Sequence, residues 1–406
     1  MGRRRGLWHH RCCETRMECP MQQNDLSKSL VAFDQDSTLV AVIELSASSW
    51  LVAGLVPGLT REPLKKQGAD PVALLKLLYR WRDEAAKAGK AIARIAVAFE
   101  AGRDGFWLAR LLLAQGIETY VIHPTSIPVS REHRRAKSDR LDTQLLKRSF
   151  VGWLRGEAKH CGMVAIPTIE EEDARRANRE HETLVGERTS LISRMKATLV
   201  RFGIRGFNVK LKKAAERLEE LRGAEGVPLP PNTLAELHRD MARLRLIKEQ
   251  LKEIEKMRLE RLKQTPQDGP HPMVLMLARM MGLGIETADM LVHEILSRHL
   301  RDRRAVARYA GLTGAPDESG GKRREKGLAR AGNARVRRGM IQLAWRWLMF
   351  QKGSALAQWF QERTAGAQRN VRKTMIVALA RKLLIALWRY VSAGEVPDGA
   401  ILRPAA

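Results

Sequence analysis

Four acidic residues, Glu44, Glu100, Asp139 and Asp142, are spaced as a set of metal ligands would be. Glu44 lies at the end of the apolar run LVAVIEL, and Glu100 directly follows a second, IARIAVAF. Short apolar, β-branched runs of this kind read as strands. Asp139 and Asp142 stand at i and i+3, so a helix carries both on one face, a turn apart. Carboxylates at strand ends beside such a pair supply the hard oxygens that Mg²⁺ requires. One or two such ions serve phosphoryl transfer, the two of a pair roughly 3.5–4 Å apart. The same residues also fit a plainer account. Acids at strand ends are often solvated, and Asp139 and Asp142 can pair with Arg135, Lys137 or Arg140 at a helix start.

A second constellation lies far downstream. Ser319 precedes Gly320 and Gly321, and eight basic residues follow by position 338: Lys322, Arg323, Arg324, Lys326, Arg330, Arg335, Arg337 and Arg338. Glycines after a serine let the backbone approach a phosphate closely, and arginines suit bidentate phosphate contacts. Ser319 can serve there as a nucleophile or as a hydrogen-bond donor to a gripped phosphate. Upstream, the run MGLGIETA, with Gly282 and Gly284, resembles a helix-hairpin-helix turn whose exposed amides hold a backbone phosphate.

The elements that must position these residues follow from periodicity. Strands are expected at 39–45, 50–56, 92–99 and 117–122, and helices at 70–90, 104–115 and 138–154. Two paired strands followed by alternating helices and strands imply a mixed α/β sheet. Residues 1–37 read as a disordered extension, 38–166 as the α/β domain, 167–266 as an arm and 267–406 as a mostly helical domain. The arm is expected to be an antiparallel coiled coil. One helix would run from 169 to about 222, then the turn GAEGVPLPP, then a second helix capped by Asn232 and ending near 264. Such an arm suits dimerisation, a nucleic-acid clamp or a spacer. The basic stretch 315–339 reads as irregular.

Composition narrows the partners. Among 406 residues there are 72 Lys and Arg against 45 Asp and Glu, a formal net charge of +27. A folded chain so basic points to a polyanion, and nucleic acid is the commonest. No membrane span is expected, because Arg381, Lys382 and Arg389 interrupt the most apolar late stretch. With no signal-peptide core in the first 30 residues, a cytoplasmic location is expected. His9, His10, Cys12, Cys13 and Cys19 match no zinc-ligand spacing, and no phosphate-binding Walker loop is present.

Glu100-Ala-Gly, Val121-Ile-His-Pro and Lys137-Ser-Asp139-Arg-Leu-Asp142 resemble the N-terminal domain of the DEDD-type insertion-sequence transposases, the "one-ten" family. The runs GLGIETADMLVHEI and RYAGLTGAPDESGGKRREKGLARAGNARVRRGMIQLAW resemble its C-terminal domain, and the likeness spans roughly 38–400. The resemblance implies a ribonuclease-H-like fold of the Holliday-junction-resolvase type, with Glu44, Glu100, Asp139 and Asp142 holding Mg²⁺. It implies that Ser319 is a nucleophile attaching transiently to DNA. It further implies guidance by a bridge RNA, homo-oligomeric assembly (a dimer or tetramer) and association with the nucleoid. Glu44 stands where the family usually has aspartate. Two other functions remain compatible with the residues: a structure-selective Mg²⁺-dependent nuclease, and a non-catalytic nucleic-acid-binding protein.

Overall fold

The computed structural model describes residues 29, 31–102, 105–127, 139–157, 160–211, 213–298, 300–319, 322–329 and 331–404. The N-terminal histidine–cysteine cluster, Arg330, Gly320 and Gly321 lie outside the described residues. The chain divides into two compact units, Met1–Pro167 and Thr168–Ala406.

The first unit is a six-stranded mixed sheet. Its strands are β1 (Thr38–Leu45), β2 (Ser49–Leu55), β3 (Leu64–Gly68), β4 (Arg94–Glu100), β5 (Glu118–Ile122) and β6 (Met163–Val164), in spatial order β3-β2-β1-β4-β5-β6. The first three strands form an antiparallel meander, whereas β4 runs parallel to β1 and β5 parallel to β4. Parallel neighbours require crossovers, supplied by helices α1 (Pro71–Lys87) and α2 (Trp107–Ala114). α1 opens on Asp70, whose carboxylate accepts from the Val72 N–H, with Pro71 in the first turn. Its Leu74, Leu78 and Trp81 pack with Leu108 and Leu112 of α2 on one sheet face. Helix α3 (Asp139–Leu154) covers the other with Leu146, Phe150 and Trp153. Sequence reading missed β3, an edge strand whose LKKQG has no apolar alternation.

In the second unit, α4 (Ile169–Ala174) starts in a capping box between Thr168 and Glu171. Helices α5 (Arg176–Arg201) and α6 (Pro231–Gln264) then pack antiparallel. Their direction is read from cross-pairs: Arg194 with Asp240 at 2.7 Å, His181 with Glu255 at 3.0 Å and Asn178 with Arg258 at 3.0 Å. The first helix of this pair ends at Arg201 rather than near 222. Gly203, at φ +77°, takes the left-handed turn after the cap residue Phe202, and a charged sequence that looks helical cannot continue through it. The chain beyond folds back over the tip, burying Val209, Leu218 and Leu229 against Met195, Leu199, Leu237 and Met241. The second helix starts at Pro231, with Pro230 rather than Asn232 at the cap position.

Helices α7 (His271–Ala278), α8 (Ile285–Leu291), α9 (Arg303–Tyr309), α10 (Ala334–Phe350), α11 (Ala355–Thr364) and α12 (Arg369–Ala393) build the remaining core. It centres on Leu283, Leu291, Leu343, Trp347, Leu379 and Leu383. A π-helical turn, Val292–Leu296, extends α8. The stretch read as irregular is ordered at its two ends: a hairpin of β7 (Gly314–Ser319) and β8 (Lys322–Leu328), then α10 from Ala334. Its strands, GAPDES and KRREKGL, are mostly polar and charged, so apolar periodicity does not mark the hairpin. No helix among the described residues is long and apolar enough to cross a membrane.

Candidate active site and nucleic-acid interface

Strand alternation sets the side of the sheet on which each carboxylate stands. In β1, Leu39, Ala41 and Ile43 face α1 and α2, while Val40 and Val42 face α3. Two-residue periodicity therefore puts Glu44 on the α3 side. In β4, Val97 and Phe99 face α1 and α2, and Ala96 and Ala98 face α3, so Glu100 falls on the α3 side as well. Ile43 pairs with Phe99 across the parallel ladder, which makes Glu44 and Glu100 the next position in register. Asp139 and Asp142 occupy the first turn of α3, over that same face, where the helix dipole favours anions.

These placements have an electrostatic consequence. Burial first, and then the charge of Asp142, push the Glu100 carboxyl above its ordinary value. Glu44, Glu100 and Asp142 are half-buried and Asp139 is exposed. Among the described residues no three acidic, histidine or cysteine side chains converge closely enough to enclose an ion. The donor set itself fits Mg²⁺: all oxygen, with one carboxyl held in unfavourable proximity to another, a repulsion that a divalent cation relieves. Sequence reasoning assigned no role to His123, which follows Ile122, the register partner of Glu100. Its backbone N–H donates to the Gly162 carbonyl at 2.8 Å, and burial of the side chain lowers its pKa. The signal was present as a histidine directly after an apolar strand.

Ser319 is the last residue of β7 and pairs in register with Lys322 of β8, so it stands at the hairpin tip. The hairpin's two feet are locked together. Gly311, at φ +64°, and Gly332, at φ +83°, approach so closely that a Cβ on Gly332 would lie 2.6 Å from the Gly311 nitrogen. Asn333 then caps α10 through the N–H groups of Arg335 and Val336, and its side-chain amide donates to Glu294 at 2.9 Å.

The basic residues divide. Lys322, Arg323, Arg324 and Lys326 lie on β8. Arg335 and Arg338, expected to meet phosphate, both pair with Glu182 of α5, and Arg335 also reaches Glu294 at 3.5 Å. Burial works to raise the Glu182 pKa, yet hydrogen bonds from Arg338 and Arg335 hold it below its ordinary value. Arg337 donates to the Ala331 carbonyl at 3.1 Å. Sequence alone could not reveal Glu182 as a partner, because 153 positions separate it from Arg335.

At the glycine turn between α7 and α8, Gly282 takes φ +88°, and a Cβ there would meet Phe350 at 2.8 Å. Gly284 is the residue that caps α8. The Gly282 carbonyl accepts from the Arg346 guanidinium at 3.2 Å.

A family model described as "Transposase IS116/IS110/IS902 family" matches residues 275–361, the segment that holds this turn, the hairpin and α10. The chain is also 41% identical over 374 residues to "Putative transposase y4rJ" of Sinorhizobium fredii (strain NBRC 101917 / NGR234), covering 89% of this chain and 93% of that protein.

Proposed function

Because the chain belongs to the IS116/IS110/IS902 transposase family, we propose that it cuts and rejoins the DNA of an insertion sequence using a carboxylate cluster and a serine. The observation that carries this proposal is that strand alternation puts Glu44 and Glu100 on the sheet face that α3 covers, with Glu100 responding to the charge of Asp142. The strand order β3-β2-β1-β4-β5, with only β2 opposed to its neighbours among these five strands, supports a ribonuclease-H-like fold. The antiparallel pair α5 and α6 supports a coiled-coil arm.

In this mechanism Glu44, Glu100, Asp139 and Asp142 would hold one or two Mg²⁺ ions. Bound there, the metal supplies Lewis acidity to a phosphodiester and lowers the pKa of a coordinated hydroxyl. The Ser319 hydroxyl attacks phosphorus and loses its proton. The bond from phosphorus to the leaving deoxyribose oxygen breaks, and that oxygen takes up a proton, leaving a serine–phosphate ester to one DNA end. A hydroxyl of the new partner strand then attacks the same phosphorus, and the Ser319 oxygen departs and is reprotonated. Lys322, Arg323, Arg324, Lys326 and Arg330, with the amides of Gly282 and Gly284, would grip flanking phosphates. Release of Arg335, Arg337 and Arg338 from their intramolecular partners would add to that grip. A bridge RNA is the proposed guide, and a homo-oligomer the proposed working form.

The deciding experiment traps the reaction with denaturant and looks for protein attached to labelled DNA until protease is added. Wild-type protein should form this adduct and Ser319→Ala should not, with recombination reduced by orders of magnitude. If Ser319 only donates a hydrogen bond to phosphate, the loss should be about 0.5–1.5 kcal/mol, roughly threefold to tenfold. Recombination by Ser319→Ala within that range would favour the carboxylate-only nuclease instead.

A further inference from the structure

On the outer side of the glycine turn, three large side chains stand in solvent together. Trp345, Met349 and Phe350 of α10 are 43%, 65% and 43% exposed. Positions 345 and 349 lie one helical turn apart, so they share a face, and Phe350 sits against Gly282. Trp345 is held edge-on by Phe360, with ring centres 6.3 Å apart, so its orientation is fixed.

The rest of this face comes from an antiparallel bridge between Met280 and Leu402. Met280 is buried in the core. Beside it, Arg279, Ile401 and Arg403 are exposed and Met281 is half-buried, and the Arg403 guanidinium donates to the Ala278 carbonyl at 3.1 Å. The Ile401 carbonyl accepts from Met281 at 3.1 Å and from the Gln351 amide at 2.9 Å, which ties this bridge to the end of α10. Arg346 reaches across to Gly282, and its guanidinium lies 5.7 Å from the centre of the Phe350 ring. α10 has no acidic residue along its whole length.

An exposed aromatic surface with Arg346 against it, on an acid-free helix whose end is tied to the segment carrying the exposed Arg403, is complementary to a strand whose bases are unpaired. Bases stack on exposed rings only when they are not already stacked in a duplex, and guanidinium groups take the phosphates alongside. We propose that Trp345, Met349 and Phe350, with Arg279, Arg346 and Arg403, form a binding face for single-stranded DNA, separate from the basic serine hairpin. This proposal rests on the chain acting on DNA, as its family does, and not on Ser319 being a nucleophile.

The test measures binding of a labelled single-stranded DNA, the corresponding duplex and an RNA of the same sequence to the full-length protein across a salt series. Trp345→Ala and Met349→Glu, both at exposed positions, should each weaken single-strand binding roughly fivefold or more while leaving the duplex largely unaffected. For Trp345→Ala the log–log salt slope should stay unchanged, because stacking releases no counterions. Arg346→Ala with Arg403→Ala should instead flatten that slope by about 0.7 per lost phosphate contact. Ser319→Ala should bind like wild type. Single-strand affinity within twofold of wild type in both Trp345→Ala and Met349→Glu would overturn the proposal, as would a larger loss of RNA binding than of DNA binding in these variants. A shift in oligomeric state with DNA binding intact would also overturn it and make this face a protein interface. A wild-type protein that bound none of the three nucleic acids would instead defeat the transposase function itself.

Discussion

At Glu100 two effects act in the same direction, since burial and the neighbouring charge of Asp142 both oppose ionisation. A carboxyl whose folded pKa lies above its unfolded value opposes folding once pH rises past the ordinary carboxylate range. Removing the Asp142 charge should therefore leave stability at neutral pH unchanged or slightly higher. If Asp142 is a metal ligand, the same change removes activation. Asp142→Asn is thus expected to abolish strand exchange, retain DNA binding and keep or raise the thermal midpoint, a combination measurable by recombination assay, gel shift and calorimetry. Recombination near the wild-type level would remove Asp142 from the metal site. A lowered midpoint would mean that its carboxylate is structural. If Glu44 belongs to the same set, its side chain, one methylene longer than aspartate, would let the end of β1 stand further from the ion.

Among elements, the junction of α5 with the π-helical turn and α10 carries a concentrated polar network. Glu294, 2% exposed, accepts from Asn333 and pairs with Arg179 and Arg335. Removing one partner of a buried ion pair costs most when the charge left behind is buried, whereas Arg179 and Arg335 are 38% and 27% exposed and water recovers part of the loss. Glu294→Ala should destabilise the second unit by about 1–3 kcal/mol, the cost of leaving hydrogen-bond partners such as the Asn333 amide unsatisfied, with Glu294→Gln losing less because it keeps hydrogen-bond acceptors; chemical denaturation measures both. Beside it, burial works to raise the Asp289 pKa, but His293, Arg258 and Asn178 together hold it below its ordinary 3.8. A depressed carboxylate contributes stability that is present above the unfolded pKa and is lost as pH falls toward the folded one. The midpoint of the second unit should thus decline as pH drops below about 3.8, and Asp289→Asn should flatten that decline. An unchanged acid limb in Asp289→Asn would assign the loss to other carboxylates. These contacts root the same helix that follows the serine hairpin, so damage here should also lower adduct formation.

For the whole molecule the dominant quantity is charge. With a net +27, binding to nucleic acid should fall steeply with salt. Replacing Arg323, Arg324, Arg337 and Arg338 together should reduce the log–log slope by several units, at about 0.9 per duplex phosphate contact. The pairing of Arg338 with Glu182 and of Arg337 with a backbone carbonyl sharpens this test. If those contacts persist in the complex, Arg323→Ala with Arg324→Ala alone should account for nearly the whole change. A slope left unchanged by all four substitutions would move the main phosphate surface to the α5–α6 arm.

The local features were legible without a structure. Short apolar runs and helical apolar patterns located β1, β2, β4, β5 and α1 to α3 within a few residues, because strands buried on both faces are apolar throughout and a helix's buried face repeats with its turn. Strand-end position and the i, i+3 spacing marked Glu44, Glu100, Asp139 and Asp142 as a set, although spacing could not separate metal ligands from solvated acids. Elements without a regular apolar repeat were not legible: the edge strand β3, the serine hairpin, and the end of α5 at Gly203 rather than at the predicted turn. Tertiary structure alone decided which strand faces α3, and so which acids share its side. It alone paired Arg335 and Arg338 with Glu182, and it alone brought the distant Ile401 carbonyl to the Gln351 amide at the end of α10. The physical reason is common to all three. A residue's own periodicity records whether it is buried, whereas its partner is chosen by a chain segment far away in sequence, and no local pattern carries that information.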